Sequence, residues 1–170
     1  MIKFIQVLVV QPIFIPNEAM LKKNLDSLKT LKNIMTTGYG ITIRLGGWAA
    51  DGKLWGEFIS EVNKIPLKIS DIKRFDKNYG KAWIVNNLTT DIDKFHYLFT
   101  FDSDIKFIPE QNYIDRLMEV AKYPNEIFNK PFGVLSLNQK ESNCHIMGHL
   151  KIKKDWRDET FYWNAGYNYK

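Results

Sequence analysis

The stretch that decides the fold reads FHYLFTFDSDIKFIP and runs from Phe95 to Pro109. Its first half, Phe95 to Phe101, is apolar and aromatic, and it predicts a buried strand. The run ends in two acids, Asp102 and Asp104, which are separated by one small residue. Because residues two apart in a strand point to the same side, we expect the two carboxylates to converge where the strand leaves the core.

Two neighbouring carboxylates beside an apolar strand repel each other, and this arrangement is costly unless a cation lies between them. Mg²⁺ is usually held by one or two carboxylates together with the phosphates of a substrate. The alternative interpretation is a polar strand end with two solvated acids. The rest of the sequence has to decide between these two interpretations.

Length and composition indicate one globular domain. The chain has 170 residues, of which 45% are hydrophobic and 25% charged, so it can bury most of its apolar surface. The formal net charge is +5, and the lysines are spread along the chain. This pattern favours a small anionic partner and no nucleic acid, since nucleic-acid-binding proteins concentrate their charge.

The single cysteine, Cys144, excludes an intramolecular disulfide and indicates a reducing compartment. The apolar N-terminus is interrupted by polar residues and by Pro12, and it has no cleavage-site pattern. It therefore predicts a core strand and no transmembrane segment. We expect a cytoplasmic protein.

Apolar periodicity predicts strands and helices in alternation. The predicted strands cover 4–10, 41–45, 66–72, 95–101 and 133–137, and the predicted helices begin at Asn17, Asp51 and Lys81 and after Pro109. Gln11-Pro12 and Gly46-Gly47 are expected to end the first two strands. The order indicates an α/β fold with a Rossmann-like mixed, mostly parallel sheet and helices on both faces. Ligands of such sheets lie beyond the carboxyl ends of the strands, where the acid pair is expected.

The first predicted helix separates its residues into two faces. Leucines at positions 21, 25 and 28, followed by Met35, form the apolar stripe. The opposite, exposed face is expected to carry Lys22, Lys23 and Asn24. After Leu137 the periodicity fades, and no elements are predicted for 138–170.

Three motifs occur in a fixed order along this frame. They are a strand ending in a Pro-containing loop, Val9-Val-Gln-Pro12; the segment Asn78-Tyr-Gly-Lys-Ala82 with Asn86, similar to N-x-G-K-x-x-x-x-N; and Asp102-Ser-Asp104, similar to D-x-D. With them the chain resembles nucleotide-sugar-dependent glycosyltransferases of the A-type fold, closest to the family 2 enzymes. The resemblance covers 1–137 as the nucleotide-sugar-binding half. We expect 138–170 to be a partial acceptor-side segment of the same domain, from either a truncated or a minimal enzyme.

The resemblance implies transfer of a sugar from a nucleotide-diphosphate sugar, with a UDP-sugar favoured, to a hydroxyl of an unknown glycan, lipid or protein acceptor. It also implies Mn²⁺ or Mg²⁺ as cofactor. Asp104 is the implied direct metal ligand, and Asp102 meets the ribose or a metal-bound water. The other implied substrate-binding residues are Pro12, Asn78, Gly80, Lys81 and Ser103.

The sequence departs from the family at two places. Where these enzymes commonly carry acids after the second strand, the chain reads Leu45-Gly-Gly-Trp48, so Asp71 or Asp76 is expected to contact the base, with stacking on Trp48 as the alternative. The acceptor half offers few carboxylates. The candidates for the general base are Asp155, Asp158 and Glu159, and those for a third metal ligand are His145 or His149.

Two other functions remain as alternatives. A non-catalytic domain of the same fold that binds a nucleotide sugar or glycan would explain the short acceptor side. A phosphatase of the haloacid-dehalogenase type also uses D-x-D at a strand end, but normally on the first strand and with Thr or Val where this chain has Lys106. The sequence therefore favours the glycosyltransferase.

Overall fold

The computed structural model describes residues 5–34, 38–107 and 114. All of them fall in the first of two units into which the chain divides, Met1–Ile114. The predicted boundary at Leu137 and the predicted elements after Pro109 lie outside the described residues, apart from Ile114, which is helical and buried. In the described part of the chain, no helix has the length and apolar character needed to cross a membrane.

Four strands and three helices alternate along the described residues. The strands are β1 (Gln6–Ile15), β2 (Gly40–Ala49), β3 (Ile69–Arg74) and β4 (Tyr97–Thr100); the helices are α1 (Glu18–Leu31), α2 (Gly52–Val62) and α3 (Lys81–Leu88); and short 3₁₀ helices cover Lys32–Ile34 and Ile92–Lys94. The strands pair in parallel in the order β3-β2-β1-β4. The predicted α/β fold with a parallel sheet is therefore confirmed.

The strand order reverses between β1 and β4. The chain first adds β2 and β3 on one side of β1 and then returns to place β4 on the other side. In open parallel sheets this reversal separates the connecting loops at the carboxyl edge and opens a crevice where ligands bind. The turn that follows β4 lies at this edge.

β1 is longer than predicted because Pro12 does not end it. Gln6 accepts a hydrogen bond from the His96 amide next to β4, and the amide groups of residues an even number apart face the same edge. Pro12 therefore faces the β4 side, but β4 ends opposite Val10. The missing N–H of Pro12 leaves no ladder bond unmade, and the prediction of a Pro-containing loop here is wrong.

Asn24 completes the same edge of β1 further along. Its side-chain amide donates to the Phe14 carbonyl at 3.2 Å and accepts from the Phe14 N–H at 3.4 Å, as a neighbouring strand would. The residue is fully buried, so its predicted place on the exposed face of the helix is wrong. The three leucines of the predicted apolar stripe are buried as expected.

β2 passes through Gly46-Gly47, which were expected to end it, and pairs with β1 as far as Ala49. A Cβ on Gly47 would lie 1.8 Å from the Ile13 carbonyl oxygen, and one on Gly46 would lie 2.9 Å from Leu88 Cδ1. The two glycines thus permit close packing of β2 against β1 and α3. In this sheet the two glycines mark sites of close packing, and they do not end the strand.

The helices cover both faces of the sheet, as predicted. Arg44 donates to the Leu88 carbonyl of α3 at 2.7 Å and pairs in register with Val10, so α3 covers the Val10 face. Gln11, one residue further, bonds to Ser27 of α1 at 2.9 Å. Since neighbouring strand residues point to opposite faces, α1 covers the other side.

The predicted starts of α1 and α2 are confirmed by their caps. Asn17 Oδ1 accepts from the Met20 N–H at 3.0 Å, and Asp51 Oδ1 accepts from the Leu54 N–H at 2.8 Å. Each bond satisfies one of the N–H groups that a helix leaves without an intrahelical partner.

Candidate functional site

The acid pair lies in a turn after β4, residues 102–105, which we call the acid turn. The strand ends at Thr100, and the Ile105 N–H donates to the Asp102 carbonyl at 3.2 Å, which closes a four-residue turn. The side chains of Asp102 and Asp104 are exposed, while Ser103 between them is buried. The two acids lie in a turn, so the alternation of a regular strand does not place their side chains, but both carboxylates are accessible at the carboxyl edge of the sheet.

β4 itself is less buried than the sequence predicts. Its burial runs from exposed at Tyr97 to intermediate at the other three positions. The buried aromatic residues are Phe101 and Phe107, whose rings meet edge to face at 4.9 Å. The buried aromatic side chains of the segment thus lie on either side of the turn, while the residues of β4 are exposed or partly buried.

Lys81 and Asp102 form an ion pair that joins two of the sequence motifs. The lysine is the first residue of α3 and the aspartate begins the acid turn. Their side chains are 39% and 58% exposed, so solvent reaches both. The contact places the Asn78–Ala82 segment and the acid turn side by side.

The conformation of Gly80 sets where α3 begins. Its φ is +84° and its ψ is 158°, a region that residues other than glycine rarely adopt. Asn78 Oδ1 accepts from the Gly80 N–H at 3.0 Å and supports this turn. Gly80 provides no side-chain cap, and Lys81 is the first residue of α3, at the positive end of the helix dipole.

The other side of the acid turn is bound to α1. We define the α1 polar edge as Asp26, Ser27, Thr30 and Asn33, the last in the 3₁₀ helix that continues α1. Ser27 Oγ donates to the Ile105 carbonyl, Thr30 Oγ1 accepts from the Phe107 N–H at 3.0 Å, Asn33 Nδ2 donates to the Phe107 carbonyl at 2.7 Å, and Lys106 Nζ pairs with Asp26 at 3.1 Å. The acid turn is thus attached to α3 on one face of the sheet and to α1 on the other.

Gln11 extends this network into the core. The residue is fully buried in β1, and its Nε2 donates to Ser27 Oγ at 2.9 Å. Among the described residues its Oε1 accepts no hydrogen bond, and the same holds for the buried Thr100 Oγ1 in β4. Both oxygens lie on the strands that flank the reversal of strand order.

Aromatic rings fix the loop that leads into α3. Tyr79 stacks on Trp83 at 4.1 Å, Phe75 meets Trp83 edge to face at 4.9 Å, and Lys77 lies 4.7 Å from the Tyr79 ring centre. The Tyr79 hydroxyl donates to Asp76, which raises the pKa of that tyrosine. Asp76, a predicted base contact, is therefore exposed in this loop and bonded to Tyr79.

The structure does not bring every predicted residue to this place. Pro12 is buried inside β1. Asp71 lies in β3, where it pairs with Lys73 at 3.3 Å, and β3 is separated from β4 by three strand spacings of about 4.8 Å. Trp48 lies in β2 and stacks on Phe14 at 5.6 Å. Their roles in substrate binding stay predictions.

A polar cleft of about 420 Å³ lies beside the C-terminal half of α3 and is lined by Arg44, Asp71 and Asp91 among others. Arg44 contacts both carboxylate oxygens of Asp91, at 2.5 and 3.0 Å. This pair, which the sequence did not reveal, holds the pKa of the Asp91 carboxyl well below its usual range. The cleft is about 10 Å along α3 from Lys81, so it is separate from the acid turn.

His145, His149, Asp155, Asp158 and Glu159 lie outside the described residues. Within the described ranges, no group of three or more His, Cys, Asp or Glu side chains is arranged to hold a metal ion. The third metal ligand and the general base stay predictions.

The α1 polar edge was missed because its partners are distant in sequence. A signal was nevertheless present, since Ser27 and Thr30 are small polar residues inside a helix, where they often bond to backbone groups.

Comparison with protein-family models, curated proteins and solved structures finds no match for this chain. The function is therefore argued from the site.

Proposed function

We propose that the chain is a metal-dependent glycosyltransferase of the A-type fold. It binds the diphosphate of a nucleotide sugar, with a UDP-sugar favoured, through a divalent cation at Asp102-Ser103-Asp104. The sugar then passes to an acceptor hydroxyl. The observation that supports this proposal is the ion pair between Lys81 and Asp102, because it joins a cationic helix start to exposed carboxylates at the edge where ligands of parallel sheets bind.

The donor set of the acid turn fits Mn²⁺ or Mg²⁺. Asp102 and Asp104 offer exposed, hard carboxylate oxygens, and Mg²⁺ commonly uses one or two carboxylates and completes its shell with water and substrate phosphates. A cation bound there would act as a Lewis acid towards the negative charge that develops on the leaving diphosphate. Two carboxylates suffice for such a site when the substrate supplies the other ligands.

The protein's own groups would bind and orient the diphosphate. Without ligand, the Lys81 ammonium neutralises Asp102. With a cation on the carboxylates, that ammonium and the first turn of α3 would face the phosphate oxygens in this proposal. Buried Ser103 keeps the turn compact between the two acids. In this proposal the base that deprotonates the acceptor is Asp155, Asp158 or Glu159.

Thermal unfolding with Mn²⁺, UDP or both tests the binding step. Wild type should gain stability with the two ligands together, since a ligand that binds the native state stabilises it by mass action. Asp104→Asn should lose this gain. Asp93→Asn, which makes the same charge change at an exposed residue of the second 3₁₀ helix, should retain it. An equal gain in wild type and Asp104→Asn would remove Asp104 from the site.

Hydrolysis of UDP-sugars with and without Mn²⁺ tests the chemical step. Metal-dependent release of UDP that is lost in Asp104→Asn supports the enzyme. Donor binding with no turnover across a panel of nucleotide sugars would contradict it and would favour the non-catalytic binding domain.

A further inference from the structure

The last residue of the acid turn and the two residues after it are bound by side chains of α1 and of the 3₁₀ helix that continues it. Ser27, Thr30 and Asn33 together bind the Ile105 carbonyl and both backbone groups of Phe107. Lys106 between them pairs with Asp26. The α1 polar edge thus follows the backbone over three consecutive residues, immediately after Asp104.

The two hydroxyls of this edge are fully engaged. Ser27 Oγ accepts from Gln11 Nε2 and donates to the Ile105 carbonyl. Thr30 Oγ1 donates to the Ser27 carbonyl at 2.8 Å and accepts from the Phe107 N–H. Ser27 and Gln11 are fully buried, and buried hydrogen bonds of this kind fix geometry, because breaking one leaves an unsatisfied group.

Hydrogen bonds hold the end of the acid turn that leads to α1. Its backbone is closed by the bond from Ile105 to Asp102, and Ile105 is itself held by Ser27. Asp104 is next to this held residue in sequence, so a shift of Ile105–Phe107 along α1 must move its carboxylate. Residues that orient a metal ligand affect metal affinity even without touching the metal.

We propose that Thr30 and Asn33 are positioning residues, which act through the Ile105–Phe107 backbone to place the Asp104 carboxylate for a divalent cation and diphosphate. This inference rests on the proposed function of the acid turn. Neither residue is required to contact the ligand. The consequence is that the affinity for the ligand depends on α1, on the opposite face of the sheet from Lys81.

Two conservative substitutions test the inference in the full chain. Thr30→Val keeps the side-chain shape but removes the acceptor for the Phe107 N–H, and Asn33→Leu removes the donor to the Phe107 carbonyl. Asn24→Leu is the matched control, because Asn24 is a buried amide on the same helix that binds Phe14 and Met20 and has no hydrogen bond to the acid turn.

The probe is UDP with Mn²⁺, titrated by calorimetry and by the electron paramagnetic resonance signal of free Mn²⁺. Thr30→Val and Asn33→Leu should raise the Kd roughly 10–100-fold, as outer-shell substitutions at metal sites do. Asn24→Leu should lower the Tm yet keep the wild-type Kd. Without ligand, exchange of the Phe107 amide hydrogen should be slow in wild type and faster in Thr30→Val.

The outcomes separate this inference from the proposed function. If wild type binds no Mn²⁺ and UDP, the proposed function fails and the inference fails with it. If wild type binds and both α1 variants keep its Kd, the inference alone is overturned. An equal loss of affinity in Asn24→Leu would assign the effect to general destabilisation and would also overturn it, as would rapid exchange of the Phe107 amide in wild type.

Discussion

Lys81 and Asp102 form an ion pair that connects the start of α3 to the turn after β4. Because both side chains are partly exposed, the pair adds at most about 1 kcal/mol to the free energy of unfolding. Its position has a larger consequence than its strength. A cation that binds the Asp102 carboxylate competes with the Lys81 ammonium, whereas a bound phosphate attracts this ammonium.

Replacing Lys81 should therefore shift two affinities in opposite directions. In Lys81→Met, Mn²⁺ alone should bind more tightly, since no ammonium competes for Asp102. UDP alone should bind more weakly, because a positive charge is lost where the phosphates are proposed to bind. Calorimetric titration with each ligand separately measures both effects. Lys64→Met provides the control, as it removes one positive charge from an exposed pair with Glu61 and should change neither affinity.

A change of both affinities in the same direction would contradict this arrangement of charges. Equal affinities in Lys81→Met and wild type would show that Lys81 contacts neither ligand. The free energy of unfolding without ligand should stay within about 1 kcal/mol of wild type, so a larger loss of stability would mean that the pair is structural.

Local sequence signals predicted the elements of the fold better than their ends. The caps Asn17 and Asp51 and the bounds of α3 follow from short-range rules, and the structure agrees. Pro12 and Gly47 are read as strand breakers by the same rules. In the sheet, Pro12 faces the edge of β1 beyond the point where its pairing with β4 ends, and Gly47 packs against the Ile13 carbonyl. Such tertiary contacts decide strand ends and are not encoded in neighbouring residues.

The same contrast between local signals and tertiary contacts explains why only part of the candidate site was predicted. Asp102 and Lys81 belong to motifs whose ordered spacing is visible in the sequence, and the structure places them in contact. The attachment of the acid turn to α1 depends on pairs such as Ser27 with Ile105, which are 78 residues apart. Asn24 was expected on the exposed face of the helix, but it is fully buried. It binds the end of β1 that β4 does not cover, and the sequence around Asn24 gives no sign of this contact.

The Arg44–Asp91 pair should make stability depend on pH. The pKa of Asp91 is lowered, first by the hydrogen bonds from Arg44. A carboxyl whose pKa is lower in the folded state stabilises the protein at any pH above the pKa of the unfolded chain, near 3.9. This stabilisation is lost as the pH falls towards the pKa of the folded state. Asp91→Asn should therefore cost about 1–2 kcal/mol at pH 7, and this difference from wild type should shrink below about pH 4.

Urea unfolding of wild type and Asp91→Asn between pH 7 and pH 3 measures this difference. Glu61→Gln is the comparison, because Glu61 belongs to an exposed pair with Lys64 and should give a much smaller difference at pH 7. A loss for Asp91→Asn that stays constant over the whole range would show that the charge of Asp91 is not its source.

Gly47 and Gly56 should respond to alanine with opposite signs. A Cβ at Gly47 would meet the Ile13 carbonyl oxygen at 1.8 Å, and the atom it meets is backbone that cannot rotate away. Gly47→Ala should therefore cost about 3 kcal/mol or more, through separation of β1 and β2. Gly56 lies in α2 with nothing within 4 Å of its added Cβ, so Gly56→Ala should gain about 0.5–1 kcal/mol. Urea unfolding of both variants compares the signs, and a stable Gly47→Ala would contradict the close approach of the strands.

Gly80→Ala tests whether the geometry of the helix start matters for binding. Nothing lies within 4 Å of an added Cβ at Gly80, so the cost comes from its positive φ of 84°. Holding alanine in that conformation should cost about 1–3 kcal/mol. If the backbone rotates to relieve the strain, Lys81 moves away from Asp102. We expect the backbone to rotate. The Kd for UDP should then rise, because the Lys81 ammonium leaves the place where the phosphates are proposed to bind, and the free energy of unfolding should fall. Gly56→Ala is again the control and should keep the wild-type Kd. A Gly80→Ala variant with unchanged stability would mean that α3 can begin without this conformation, and unchanged Kd would separate the helix start from the binding site.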